Sequence, residues 1–493
     1  MSTELKILFL AAEAEPFIKI GGLGDVAGSL PQALKELGGV DVRLAIPFHG
    51  AIQRHAIPQP SYNLSRIATF EIPYQDGSAH VEALATEING MPVYLIAGDL
   101  ISADAPVYTI DPSVDGYKFT FFSLAALEVA RRLGWAPDVV HANDWHTAPA
   151  LYALWLWREQ DDFFRNTATL LGVHNLPYLG IGANQALSAF GLPPATSSTL
   201  PEWAQHAPMP LGLLAADRIV AASPTYAQEI LTPEFGSGLE DFLATRKAAI
   251  SGILNGLDTG KWNPATDEAI IAQYDAEHLE RRIENKRALA IELGLNPDPT
   301  IPLLGMVTRM DPQKGIDLVP AGLRLMKQQA WQAIILGSGI PQVEASMRKL
   351  EKEFPERVRV AIRFDAVLSR RIYAGADLFL IPSRYEPCGL TQMIAMRYGC
   401  VPLARATGGL KDTIQKFQPK GQGSGFLFKN PSPGDLARAL RQALRIYAHP
   451  EVWQSIQLRG MSQDFSWERF ARQYAQLYQE MAIRRRQETG NEQ

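Results

Sequence analysis

At 493 residues the chain has room for two or three domains of ordinary size, and 46% apolar with 20% charged residues is the composition of a globular protein. A formal net charge of −5, from 47 basic and 52 acidic side chains, excludes a protein built to coat nucleic acid. Two cysteines, Cys388 and Cys400, imply no disulfide framework and fit a reducing, cytoplasmic setting.

The first apolar run, Ile7 to Ala12, is short for a signal-peptide core and is followed by Glu13 and Glu15. It reads as a first buried strand. No run approaches 18 apolar residues, so no membrane span is expected. Next comes FIKIGGLGDVAGSLPQAL, Phe17 to Leu34. Strand, glycine turn and helix start is how chains hold phosphates, with backbone N–H groups and the helix dipole facing the anion. The spacing Gly22, Gly24, Gly28 is not the Walker pattern, which puts its lysine after the glycines, and is nearer the dinucleotide fingerprint. Lys19 with Gly21 and Gly22 is therefore a candidate anion loop, although the glycines could simply permit a turn.

Further strands are expected at 41–48, 137–143, 168–174 and 217–223. A second set falls at 301–308, 331–337, 357–364, 376–383, 401–406 and 424–428. Helical patterns lie between them, as at 27–38, 122–134, 223–231 and 390–399. Near-continuous apolar strands alternating with helices predict α/β architecture with parallel sheets covered on both faces, and two sets predict two doubly wound domains. The turn-rich stretch Asn255 to Asp267 marks the boundary, giving domains 1–250 and 251–465. A polar helix is expected at 276–293 and an amphipathic helix at 466–484, ahead of a basic, frayed tail. GGLGD at 21–25 is echoed by GGLKD at 408–412, each after a strand and before a helix.

Ligands of such sheets bind at the carboxyl ends of the strands. Arg309 and Lys314 follow the strand at 301–308. Glu386 follows the strand at 376–383, and Cys388, Gly389, Leu390 and Thr391 open the next helix, whose free N–H groups suit an anion. Two cations and a helix start converging there predict a diphosphate. In the first half His141, Asn143, Asp144 and His174 stand at strand ends. Blander readings stay open: Arg309 and Lys314 as a solvated loop, Glu386 as a cap, His141 as a satisfied core histidine, Asp144 as a turn residue. A metal reading of His174 and Asp144 lacks any close-spaced ligand set. A dehydrogenase would need an acid at the end of the second strand, and DVRLAIPFHG ends without one.

The stretches KIGGLGDVAGSLPQAL, TPEFGSGLEDFLATR, GILNGLDTGKWNPATD, RMDPQKGIDL and PSRYEPCGLTQMIAMRYGCVPLARATGGLKDT resemble the signatures of the bacterial glycogen synthase and plant starch synthase family. The resemblance implies a GT-B glycosyltransferase, two Rossmann-like domains facing a deep cleft, with the terminal helix returning to the first domain. It implies retaining transfer of glucose from a nucleotide-sugar donor, usually ADP-glucose, to the nonreducing end of an α-1,4-glucan acceptor, with no metal or other cofactor. A related enzyme with another acceptor or UDP-glucose is the alternative. Carried over by motif, Lys19, Gly21 and Gly22 approach the donor phosphates, and Arg309 and Lys314 hold the diphosphate. Glu386, with the Cys388–Gly389 backbone and the following Leu390 and Thr391, holds glucose. His174 binds the sugar, Asp144 lies beside the reaction centre and Asn255 flanks the cleft. Phe364 stands where the family has a tyrosine that stacks on adenine. Departures are Ile20, Asn143 in HAND, Pro210 where a lysine is expected, and a short 98–118 segment without the family's asparagine-proline-tyrosine loop.

Overall fold

A computed structural model describes residues 4–54, 63–102, 104, 106–418 and 422–490. The chain divides into two compact units, Met1–Gly256 with Trp467–Gln493, and Leu257–Ser466.

Unit 1 is built on β1 (Leu5–Leu10), β2 (Val40–Pro47), β3 (Ser65–Tyr74), β4 (Gly77–Ile88), β5 (Met91–Gly98), β6 (Val139–Asn143), β7 (Ala168–Val173), β8 (Arg218–Ala221) and β9 (Ile250–Gly252). The sheet order is β3-β4-β5-β2-β1-β6-β7-β8-β9. From β5 to β9 every neighbouring pair is parallel. β1 shows why its sequence is apolar at successive positions: Leu8 and Leu10 enter one core, Ile7 and Phe9 the other, on opposite faces of the sheet.

The antiparallel edge β3–β4–β5 departs from the expected all-parallel sheet. The signal was present at Asn89-Gly90. Both residues have positive φ, +50° and +72°, and they form the two-residue loop between the paired Ile88 and Met91. Asn-Gly is the pair that such a hairpin turn prefers.

Unit 1 continues to Gly256, six residues past the expected boundary at 250, because Ile250–Gly252 adds the edge strand β9. A Cβ on Gly256 would lie 2.6–2.7 Å from Trp467, so only glycine fits where the chain passes that residue. The terminal helix runs Trp467–Gly490 and packs Phe470, Tyr474, Tyr478 and Met481 against Ile7, Phe9, Val26 and Leu30. The expected frayed tail is helical and tied down: Arg485 donates to Glu159 at 2.6 Å and to the Arg165 carbonyl at 2.9 Å.

Unit 2 holds β10 (Leu303–Val307), β11 (Gln332–Gly337), β12 (Val358–Ile362), β13 (Leu378–Ile381), β14 (Val401–Arg405) and β15 (Phe426–Phe428). They form one parallel sheet in the order β12-β11-β10-β13-β14-β15. All six strands fall within the expected segments. The polar helix is shorter than expected, Arg282–Glu292 after a 3-10 turn at Leu279–Arg281.

Candidate active site

In unit 2 the expected residues gather at the carboxyl ends of β10, β13 and β14. After β10 the Asp311 side chain accepts from the Lys314 N–H at 3.2 Å and closes a 3-10 turn, Pro312–Lys314. Gly315 ends that turn at φ +62°, where a Cβ would sit 2.0 Å from the Pro382 carbonyl oxygen. Only glycine permits this approach, which seats the Lys314 turn on the β13 loop. The Lys314 ammonium donates to both oxygens of Glu386 at 2.8 Å, and the Ser383 hydroxyl donates to Oε2 at 2.8 Å. Glu386 is only 6% exposed. It is neither a helix cap nor a solvated side chain.

The GGLKD echo acquires a purpose here. Gly408 has φ +43°, and its Cβ would lie 1.9 Å from the Glu386 carbonyl oxygen; that of Gly409 would lie 2.0 Å from the Cys388 oxygen. The Gly409 N–H donates to the Glu386 carbonyl at 3.1 Å. From below, the Gln392 amide donates to the Cys388 and Gly389 carbonyls at 3.0 and 2.8 Å. Gly389 itself sits at φ +75°. The segment from Glu386 to Gly389 is thus clamped on both sides. Leu390 precedes the helix Thr391–Arg397 without a side-chain cap. The Cys388 side chain is buried.

A cavity of about 180 Å³ is lined by Thr308, Arg309, Lys314, Ser383, Glu386 and Thr391 among others. Arg309 is largely exposed, held by Asp311 at 3.1 Å and Gln313 at 2.9 Å. Phe364, just after β12, is 90% exposed, an aromatic face with no core to pack against. A larger cavity of about 1170 Å³, beside Lys286, Asp377 and Tyr447, opens at the opposite strand ends, away from these residues. Its size carries less weight than the convergence of charged groups at the carboxyl ends.

In unit 1 the carboxyl edge of the sheet holds the polar residues. His141 is a buried core histidine: Nδ1 meets the Tyr478 hydroxyl at 2.6 Å, and its ring lies against Phe9 and Tyr474. Burial holds its pKa well below the usual imidazole range. Asn143, also buried, donates from Nδ2 to the Leu10 carbonyl at 2.8 Å. Its Oδ1 is then an acceptor, and it faces His174 Nε2 at 2.8 Å. His174 therefore donates from Nε2, which leaves Nδ1 as an acceptor without a partner. Burial lowers the His174 pKa against the opposing pull of Asp144, which favours the neutral ring.

Asp144 adopts φ +54° and accepts from the backbone N–H groups of His174 at 2.8 Å and Asn175 at 3.2 Å. Burial raises its pKa despite those donors. The turn reading and the functional reading meet in this residue, which shapes the loop carrying His174. A Cβ on Gly172 would come within 2.8 Å of Asn143 Oδ1 and 2.9 Å of His141 Nε2, so the cluster requires glycine there. The Asp144 carboxylate faces backbone amides, and the His174 ring faces Asn143. Among the described residues no three His, Cys, Asp or Glu side chains gather as metal ligands. Asn255, in unit 1 after β9, is 7% exposed with Oδ1 unpartnered.

The glycine loop corrects the sequence reading. The N–H groups of Ile20 and Gly21 are already taken by the Glu13 carboxylate, at 3.1 Å from both oxygens for Gly21. The Lys19 ammonium lies 2.5 Å from Asp25 and 3.7 Å from Glu15. Gly24 and Gly28 serve packing: a Cβ on Gly28 would lie 2.4 Å from the Glu15 carbonyl oxygen, and one on Gly24 3.1 Å from the Lys19 side chain. Gly22 has open space around it. Glu13, Ser383, Gln392 and Gly172 were missed by sequence reasoning. Only Glu13 carried a signal, as an acid directly after a buried strand.

Residues 6–245 match the family model described as the starch synthase catalytic domain, and residues 293–456 match that of glycosyl transferases group 1. The chain is 40% identical to a glycogen synthase of Moorella thermoacetica, over 99% of each chain. It is 39% identical to one from Thermotoga petrophila, over 96% of this chain and 98% of the other. The solved catalytic domain of starch synthase IV from Arabidopsis thaliana, bound to ADP and acarbose, superposes with a TM-score of 0.86 at 33% identity. That match covers 97% of this chain and 99% of that one. Two parallel-sheet α/β units, the second with a cation–carboxylate cluster at its strand ends, define a glycosyltransferase of the GT-B class. Within that class, the chain belongs to the bacterial glycogen synthase and plant starch synthase family.

Proposed function

We propose that this glycogen synthase-type transferase moves glucose from ADP-glucose to the nonreducing end of an α-1,4-glucan, with retention and without a metal ion. The observation that carries the reading is the Lys314–Glu386 pair over the small cavity at the carboxyl ends of β10 and β13. Breaking the sugar–phosphate bond places negative charge on the nucleoside diphosphate. Lys314 and Arg309 are fixed cations for that charge and need no reorganisation as it develops. Glu386, with its carboxylate held by Lys314 and Ser383, accepts from glucose hydroxyls, and the clamped Cys388–Gly389 backbone and the uncapped start of the helix at Leu390 and Thr391 offer N–H groups beside it. His174 Nδ1 accepts from a sugar hydroxyl, and Asp144 acts by orienting the His174 loop. Lys19 contacts donor phosphate. Gly22, not Gly21, is the loop glycine left for close approach. Asn255 offers its unpartnered Oδ1 to the substrate, and exposed Phe364 stacks on the base.

The two cysteines, Cys388 and Cys400, are both buried thiols, which supports a reducing, cytoplasmic setting. Among the described residues no helix is long and apolar enough to cross a membrane. The test is a donor panel with glycogen and maltooligosaccharides as acceptors, with the product linkage determined. ADP-glucose is expected to exceed UDP-glucose in kcat/KM, and Phe364→Ala to lower the ADP-glucose constant several-fold, since stacking contributes about 1 kcal/mol. Equal constants for the two donors would overturn the donor assignment. Transfer to a non-glucan acceptor alone would overturn the acceptor.

A further inference from the structure

We propose that Glu13 is the positioning residue of the Lys19 loop: its carboxylate is an internal anion that gathers the Ile20 and Gly21 amides, so that the lysine side chain and the backbone at Gly22 are what the loop has left to meet donor phosphate. This inference rests on the assignment of Lys19 to the donor.

Four independent features centre on this side chain. It is 1% exposed and lies three residues past the end of β1, at the carboxyl edge of the sheet. Its two oxygens accept from Gly21 N–H, and one also accepts from Ile20 N–H. The buried Tyr108 hydroxyl lies near enough that burial and the Glu13 charge together hold its pKa well above the usual phenol range. The glycines of the loop are cut to its shape: a Cβ on Gly21 would lie 3.3 Å from Oε1, and one on Gly24 3.3 Å from Oε2.

The Ile20 and Gly21 amides, part of what resembles a phosphate cradle, are consequently filled before any ligand arrives. A second anion at the same amides would meet the Glu13 carboxylate, with Asp25 nearby adding to the negative potential. The loop can still serve a diphosphate through Lys19, whose stem packs on Gly24 and whose ammonium waits on Asp25 and Glu15. Fixing the backbone at residues 20 and 21 fixes where that stem begins. Misplacing a charged group by about 1 Å is enough to cost a large factor in rate.

Shortening the side chain by one methylene in Glu13→Asp keeps the charge but withdraws the oxygens from the amides. Glu13→Gln keeps the length and one acceptor oxygen. Both, with Lys19→Ala and the double variant Glu13→Asp/Lys19→Ala, are assayed for kcat/KM with ADP-glucose, for KM with glycogen and for Tm. Glu13→Asp is expected to raise the ADP-glucose KM and lower kcat/KM by about tenfold, with the glycogen KM unmoved. The double variant is expected to be no worse than Lys19→Ala, because the two residues act as one unit. Glu13→Gln should lose less than Glu13→Asp. Multiplying losses in the double variant, or Glu13→Gln falling below Glu13→Asp, would overturn the positioning role. An unimpaired Lys19→Ala would instead remove the assignment of Lys19 on which the proposal rests.

Discussion

Replacing Lys314 by alanine tests the site where its two functions, binding and charge balance, are coupled. The ammonium is 2.8 Å from both Glu386 oxygens, the Glu386 side chain is 8% exposed, and that of Lys314 is 21% exposed. Removing one partner of a fully buried pair costs about 3–5 kcal/mol, because the other charge is left unpaired. Water reaches Lys314, so screening reduces this to about 2 kcal/mol. For a unit the length of Leu257–Ser466, that is a fall in Tm of about 4–8 °C. Turnover should fall by about a hundredfold from the loss of one fixed donor to the developing diphosphate charge. The two effects are separable in Lys314→Ala/Glu386→Gln. Neutralising the orphaned carboxylate should restore at least half the lost Tm, while turnover stays as low as in the single variant. Calorimetry and steady-state rates on the three proteins decide it. A double variant that melts no higher than Lys314→Ala, or a single variant within threefold of wild-type turnover, would refute the reasoning.

Gly315→Ala should lower kcat/KM at least tenfold, since a Cβ 2.0 Å from the Pro382 oxygen at φ +62° must displace the Lys314 turn; wild-type kinetics would show that the turn's position is immaterial. Activity should survive a chelator in metal-free buffer if, as proposed, Arg309 and Lys314 meet the charge on the leaving diphosphate; complete loss restored by magnesium or manganese would count against this. Stability should fall on acidification below pH 6.5. Burial, with Lys118 adding repulsion, lowers His49 to about 4 and His146 to about 3, so the unfolded chain takes up protons first. For His49 that is about 3 kcal/mol lost between pH 6.5 and 4. A Tm that holds constant from pH 7 to 5, or a slope unchanged in His49→Gln, would argue against neutral burial.

Both parallel sheets were legible because helix-covered parallel strands are apolar on both faces, and that pattern is local. Lys314 and Glu386 were legible for a related reason: each follows such a strand, and parallel strands deliver their ends to one edge. The antiparallel strands β3–β5 were written at Asn89-Gly90, but half-polar alternation is weaker than an apolar run and was passed over. Arg485 and Arg486 looked like the start of a loose tail because their partners Glu159 and Asp138 are more than 300 residues distant.

The sequence by itself determined the fold class, the identity of the cationic and acidic residues at the strand ends, and the family. These rest on residue types at short spacings. Only the tertiary structure decided what each polar group faces. It assigned His141 to the core, made Asp144 the holder of the His174 loop and filled the Ile20 and Gly21 amides with Glu13. It also explained GGLKD by the carbonyls of Glu386 and Cys388, 20 or more residues earlier in the chain. Hydrogen bonds and close backbone approaches act over about 3 Å between groups remote in the chain. Which groups come that close is set by packing, and no local pattern encodes it.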